Sequence, residues 1–415
     1  MRHNLPSEAR QLEDWGTPPT RTDTDKTLAR VVRVDRGECD VITADGKLRV
    51  ASAPPQPATG DWVLIGTQNP TENPTKLPIQ VTQILPRTTT LSRHDPAERD
   101  AKQVLAANVD TVGIVVGLDK PIAAGRFERL AILALESGAN AIVILSKADL
   151  CDDVKSAVAE VKEIISDLPV IVTTAQPYLS DIDDNIHDNN DDDDNDYDDD
   201  DDDNDTCNDV MGRSRGEEAS AIDDDNDISA TDSDDMNDAN MNDDGMSSVK
   251  EVGEGEGVEA LRTYIRRGET LALIGPSGAG KSTLINALAG QELVVTGAVR
   301  EKDLRGRHTT VARELVLLPD SSGIIMDTPG LRTLGLWNTP QALKAFETVF
   351  ADVVELAIMC RFSDCAHDTE PDCAVKDAVA NGEISEARVE RAAELQAELS
   401  ESSHLQRSSK SSRKR

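Results

Sequence analysis

Short apolar runs broken by turn residues open the chain. Between Leu28 and Ile84 the segments Ala29–Val34, Asp40–Thr43, Lys47–Val50 and Asp61–Ile65 are separated by Gly, Pro and Asp. That spacing predicts about five strands over residues 27–90, a small barrel of OB type. Further along the pattern changes. Ala141–Leu145, Pro169–Thr173, Leu271–Ile274 and Gly323–Asp327 are apolar at nearly every position, as strands covered on both faces are. Helical patterns open after Leu150 and over Ser282–Leu288, so this part reads as α/β. Ile384–Leu399, rich in Ala and Glu, predicts a helix near the end. No run approaches the length of a membrane span.

Each of these buried-type runs ends in polar residues with chemical content. After Leu271–Ile274 comes Gly275-Pro276-Ser277-Gly278-Ala279-Gly280-Lys281-Ser282, followed by Thr283. This is the full phosphate-loop spacing between a strand and a helix. Its glycines let backbone N–H groups and the helix N-terminus face negative charge. Lys281 is placed to reach the β- and γ-phosphates, and Ser282 to hold Mg²⁺. A strand ending at Asp327, with Gly330 three residues on, supplies a carboxylate for Mg²⁺ and an N–H that can sense the γ-phosphate. In the polar loop Gly306-Arg307-His308-Thr309-Thr310, either Thr309 or Thr310 can complete the Mg²⁺ shell, and His308 can position water. A transporter-type ATPase is the weaker reading, because no Asp-Glu pair ends the Asp327 strand and no Leu-Ser-Gly-Gly occurs.

Nucleotide choice depends on Ser146-Lys147-Ala148-Asp149, which follows Ala141–Leu145. A carboxylate at the end of a buried strand can accept both the N1–H and the exocyclic N–H₂ of guanine, a donor pair that adenine lacks. Asp149 is therefore the specificity residue and Lys147 covers the base. Thr173-Thr174-Ala175, ending the next apolar run, occupies the place of a loop lining the base. In an ordinary phosphate-loop GTPase the guanine-reading segment comes last; here it precedes the phosphate loop. The parts are circularly permuted.

With motifs in this order, residues from about 27 to 175 and about 250 to 375 resemble the bacterial ribosome small-subunit-dependent GTPase A family. The resemblance implies an N-terminal OB barrel, a permuted GTPase domain and a C-terminal zinc-binding domain. It also implies a role in late maturation of the small (30S) ribosomal subunit, with that subunit stimulating GTP hydrolysis. Ser146 departs from the family pattern, which has Asn there. The family pattern also lacks the acidic stretch described below.

The metal site can be argued from spacing as well. Cys360, Cys365, His367 and Cys373 lie within fourteen residues, enough for a closed Cys₃His zinc site of the structural kind. Cys39, Cys151 and Cys207 are scattered. Reduced cysteines, zinc and no signal peptide point to the cytoplasm rather than to disulfides.

Charge changes the picture in one place. Residues 181–249 hold 29 acidic and 2 basic side chains, a net −27, which leaves −8 of the chain's −35 for the rest. Such a tract cannot build a core, so it reads as a disordered insertion within a GTPase domain of residues 100–335. Residues 1–26 are likewise expected to be disordered. A helix-rich zinc-binding domain is expected over 336–400, and a basic disordered tail over 401–415. In the barrel, few aromatics are available for base stacking. Contact with rRNA is expected through Arg33, Arg36, Lys47, Arg49, Arg87 and Arg93.

Connectivity suggests a mechanism, because Asp327–Gly330 runs through Leu331–Trp337 into the C-terminal domain. Movement of the γ-phosphate sensor can then pass to that domain. Leu331 stands where many GTPases carry the Gln that orients water, so slow unassisted turnover is expected. Two functions follow: a monomeric GTPase activated by the small subunit, or a GTP-responsive rRNA clamp with negligible hydrolysis.

Overall fold

The structure, a computed structural model, describes residues 12–20, 23, 25–67, 79–94, 102–174, 255–294, 313–319, 321–328, 335–336 and 338–412. The expected acidic insertion lies outside them.

Strands β1 (Thr27–Val34), β2 (Glu38–Thr43), β3 (Gly46–Ala51), β4 (Trp62–Thr67) and β5 (Ile79–Ile84) pair in the order β1-β2-β3-β5-β4, and β4 returns to β1. This is a closed five-stranded barrel of OB type. Alternating side chains point inward, and Ala29, Val31, Cys39, Val41, Val50, Val63, Ile65 and Val81 fill the interior. A hairpin of β6 (Thr90–His94) and β7 (Lys102–Ala107) follows.

The second sheet contains β8 (Thr111–Gly117), β9 (Asn140–Ser146), β10 (Val170–Val172), β11 (Gly255–Glu256), β12 (Thr270–Ile274), β13 (Glu314–Leu317) and β14 (Ile324–Asp327). Their order is β11-β10-β9-β8-β12-β14-β13, and every neighbouring pair is parallel except β13 with β14. Parallel strands need cover on both faces, which explains their unbroken apolar runs. One face packs against α1 (Ala124–Glu136) and α2 (Val154–Ile164), with Phe127, Leu130 and Val161 buried there. The other packs against α3 (Val258–Arg262) and α4 (Lys281–Ala289), burying Leu261, Leu284, Ile285 and Leu288.

The described residues on either side of the insertion, ending at Thr174 and resuming at Gly255, carry neighbouring strands: Ile171 lies opposite Gly255, and Gly257 N–H donates to the Val172 carbonyl at 2.8 Å. Barrel and second sheet also join through their edges. Arg33 of β1 lies opposite Glu314 of β13, and the Thr59 hydroxyl donates to the Arg313 carbonyl at 3.3 Å.

Four helices end the chain: α5 (Pro340–Val349), α6 (Ala351–Ile358), α7 (Ala374–Asn381) and α8 (Glu386–Ser412). Thr339 caps α5 by accepting from Ala342 N–H, with Pro340 in the first turn. Apolar residues of α5 and α8, including Phe346, Val349, Leu395 and Leu399, belong to the same buried cluster as α1. Within it Arg388 is 6% exposed and Glu128 0%. The Arg388 guanidinium donates to Glu128 (2.7 Å), Asp352 (3.1 Å) and the carbonyls of Ile164 (3.0 Å) and Val349 (2.6 Å). It also stacks 4.4 Å from the Phe350 ring centre. No helix among the described residues is long and apolar enough to cross a membrane.

Two expectations change. The N-terminal segment carries a 3₁₀ turn, Leu12–Trp15, with Trp15 6% exposed. Asp14 pairs with Arg267 at 2.6 Å, and the buried Arg30 guanidinium donates to the Trp15 carbonyl. One aromatic with two polar anchors orders a segment whose composition gives no periodic signal. The last helix also runs past Leu399 to Ser412, because no Gly or Pro interrupts it.

Candidate functional site

The carboxyl ends of β8, β9, β10, β12 and β14 lie along one edge of the parallel sheet, where open α/β sheets bind ligands. Every described candidate nucleotide residue sits on that edge.

β12 runs into Gly275, whose φ of 153° and contact with β8 leave no space for a side chain: a Cβ there would stand 2.4 Å from the Val115 carbonyl oxygen. The loop closes on α4 at Gly280. Lys281, 6% exposed, folds back over it and donates from Nζ to the carbonyls of Gly275 (3.0 Å) and Pro276 (2.8 Å). Its ammonium is thus parked where an incoming phosphate can draw it away. Ser282 Oγ lies 3.4 Å from Asp327 Oδ2 at the end of β14. A hydroxyl and a carboxylate this close, beside a phosphate loop, fit the hard oxygen donors that Mg²⁺ takes.

The second half comes from β9 and β10. Ser146 ends β9, and its hydroxyl donates to the Ala279 carbonyl at 2.7 Å. The side chain that departs from the family pattern therefore ties this segment to the phosphate loop. Lys147 follows with a left-handed backbone (φ 59°), and Ala148 N–H donates to the Thr173 carbonyl at 3.2 Å. Asp149 is exposed and accepts from the Thr174 hydroxyl at 2.8 Å. The structure brings Ser146–Asp149, Thr173–Thr174 and Gly275–Thr283 to the same edge of the sheet. Ala175, His308, Thr309, Thr310 and Gly330 lie outside the described residues.

Sequence reasoning missed Asp119, in the turn after β8. Its carboxylate meets the Lys147 ammonium at 2.9 Å, and the hydrogen bond from Lys147 holds its carboxyl below the usual range. Asp119, Arg126 and Phe127 line a cavity of about 340 Å³ that they share with Lys147 and Pro276–Ala279. The available signal was position alone: Asp119 lies just beyond the end of an apolar strand on the edge that carries the other motifs.

At the other end of the chain the ligand atoms of Cys360, Cys365, His367 and Cys373 all lie within 4.8 Å of one another. Cys360 and Cys373 sulfurs are 3.8 Å apart, and His367 Nδ1 lies 3.6 and 3.4 Å from them. A tetrahedral ion with metal–sulfur bonds of about 2.3 Å needs a sulfur–sulfur edge of about 3.8 Å. The donor set and its spacing fit such an ion.

The barrel cations expected to meet RNA are largely engaged within the protein. Arg49 contacts Asp35 (2.7 Å), Glu38 (2.9 Å) and Asp40 (2.8 Å), and Arg87 contacts the buried Asp61 at 2.6 Å. Lys47 and Arg33 reach Glu314 at 3.6 and 3.9 Å, and Arg93 donates to Gln103 at 3.0 Å. Trp62 is 2% exposed, so it offers no stacking surface. Arg36 remains exposed.

Comparison with known proteins agrees with the motif order. A family model described as RsgA GTPase matches residues 84–190 and 226–337, with its break inside the acidic stretch. "Small ribosomal subunit biogenesis GTPase RsgA" of Streptomyces coelicolor is 35% identical over 371 residues, covering 87% of this chain and 77% of that protein. The protein of the same name from Methanosarcina acetivorans is 32% identical, covering 83% and 70%. Among solved structures, YjeQ from Thermotoga maritima aligns with a TM-score of 0.48 at 21% identity, covering 90% of this chain and 98% of that one.

Proposed function

The chain belongs to the RsgA GTPase family, and from that premise we propose that it hydrolyses GTP during biogenesis of the small ribosomal subunit. One observation carries the reading. The hydroxyl of Ser146 is bonded to the carbonyl of Ala279, 133 residues away, so the base-reading and phosphate-cradling segments form a single site despite their reversed order.

In this reading Asp149 accepts from N1–H and the exocyclic amino group of guanine. Lys147 covers the base, and Thr173, Thr174 and Ala175 line its edge. Backbone N–H groups of Gly278–Thr283 cradle the phosphates, while Lys281 leaves its two carbonyls for the β- and γ-oxygens. Ser282, Asp327 and either Thr309 or Thr310 would hold Mg²⁺, which neutralises charge developing on the transferred phosphoryl group. Gly330 N–H senses the γ-phosphate, and His308 orients water where Leu331 cannot. Ser146 braces the site instead of touching the base.

The Cys360, Cys365, His367 and Cys373 set holds one structural zinc ion. A complete four-ligand set leaves no open position for a substrate. We assign the 30S subunit and its rRNA as partner, late maturation as the stage, a monomer as the working form and the cytoplasm as the compartment. The names of the relatives support the small subunit as partner, and the free cysteines among the described residues fit a reducing compartment. Engagement of the barrel cations by carboxylates argues for shape-led contact with the particle rather than a free basic stripe.

The test is multiple-turnover GTP hydrolysis by the purified protein, alone and with equimolar small subunits, with ATP as control. Strong stimulation specific to GTP is expected. The second reading, an rRNA clamp with negligible turnover, rests on Leu331. It predicts GTP-dependent subunit binding without stimulation.

A further inference from the structure

Asp119 lies outside the phosphate loop, the guanine-reading tetrapeptide and the loop that carries Thr309 and Thr310. Its neighbourhood is nevertheless built around Lys147. The two side chains meet at 2.9 Å and are only 28% and 30% exposed. Gly117 makes room for the contact: a Cβ there would stand 2.7 Å from Asp119 Oδ1 and 3.6 Å from both Lys147 Cδ and Ala279 Cα. The lysine stem therefore passes close beside the phosphate loop, through a gap that a side chain at residue 117 would fill.

Lys147 also needs holding. Its φ of 59° is one that residues with a Cβ adopt rarely and at a cost of about 1 kcal/mol or more. Backbone contacts fix the main chain on both sides, with Leu118 N–H on the Ser146 carbonyl (2.9 Å) and Leu150 N–H on the Lys147 carbonyl (3.0 Å). The side chain has four rotatable bonds, and the carboxylate of Asp119 supplies its far anchor.

We infer that Asp119 is a positioning residue for guanine-nucleotide binding, anchoring the Lys147 ammonium so that the aliphatic stem stays beside the phosphate loop as a platform for the purine. The inference rests on the GTPase reading and adds a residue to its site. Lys120 and Arg126 line the same cavity and offer only positive charge, so neither can replace the carboxylate.

The test measures affinity for fluorescent GDP and GTP, with steady-state hydrolysis alongside. Asp119→Ala is expected to weaken both nucleotides by about fivefold, the worth of one partly shielded charge-assisted contact. The loss should fall on KM more than on kcat. Asp119→Asn keeps an acceptor oxygen and should recover part of it. In a Lys147→Ala background Asp119→Ala should do nothing further, because the group it positions is gone. An unchanged affinity, tighter binding, or the same loss in both backgrounds overturns the assignment. Absence of GDP binding by the wild-type protein overturns the GTPase reading and this assignment with it. Wild-type binding with an unaffected Asp119→Ala variant overturns this assignment alone.

Discussion

Replacing Arg388 with Met tests whether α8 is locked to the GTPase core by charge. The substitution keeps volume but removes every donor of a side chain that is 6% exposed. Glu128, 0% exposed, would retain Arg391, which reaches it at 2.9 and 3.0 Å. The carboxylate is therefore not stranded, and the cost should sit near the lower end of the roughly 3–5 kcal/mol for breaking a buried pair. The carbonyls of Ile164 and Val349 each lose a donor, at about 1 kcal/mol apiece. These contributions overlap, which gives a total of about 3–4 kcal/mol, read by urea unfolding followed by circular dichroism. Arg49→Ala is the control: its three carboxylate contacts lie on a side chain that is 40% exposed, and surface pairs are worth about 1 kcal/mol or less. A loss below about 1 kcal/mol for Arg388→Met would refute the reasoning, as would equal losses for Arg388→Met and Arg49→Ala.

Asp149→Asn should weaken GTP binding at least about a hundredfold, because charge-assisted bonds to guanine are worth about 1.5–3 kcal/mol each. The same variant should gain affinity for XTP, whose extra carbonyl accepts from the amide; competition binding reads both. Ser146→Ala removes the bond to Ala279 and should weaken GDP and GTP alike by about fivefold in the same titration. Elemental analysis should find one zinc ion per chain, and Cys365→Ser should lower that content while leaving GDP affinity in place.

The candidate nucleotide site was legible because a phosphate loop is a local device: Gly275, Gly280, Lys281 and Ser282 need only their spacing and a flanking strand and helix. The barrel was legible for a similar reason, since short apolar runs separated by Gly, Pro and Asp mark its strands locally. Contacts between distant residues left no such trace. Nothing near Arg388 announces Glu128, 260 residues earlier, and nothing near Trp15 announces Arg30 and the buried place it completes. The partners of the barrel arginines were not legible, because charge in a sequence does not reveal what it pairs with. Asp35, Glu38 and Asp40 sit across a hairpin from Arg49 and meet it only once β2 and β3 are paired. Asp119 fell between, visible as a strand-end acid but lacking any motif to give it a task.

The strand order has a consequence for synthesis. β12, flanked by β8 and β14, is central to the sheet, yet it is made long after β8, β9 and β10. While the ribosome translates residues 175–254, the guanine-reading half of the sheet exists without its phosphate-loop half. The edge of β8 that will receive Leu271–Ile274 stays open for that interval, and an open apolar edge invites pairing with another chain. The segment emerging during the wait carries most of the chain's net negative charge, and like charge keeps such chains apart. Reversed motif order thus gives this protein a half-built sheet during translation whose missing part is the phosphate-loop half, whereas an unpermuted GTPase, with its phosphate loop made first, waits for the guanine-reading half.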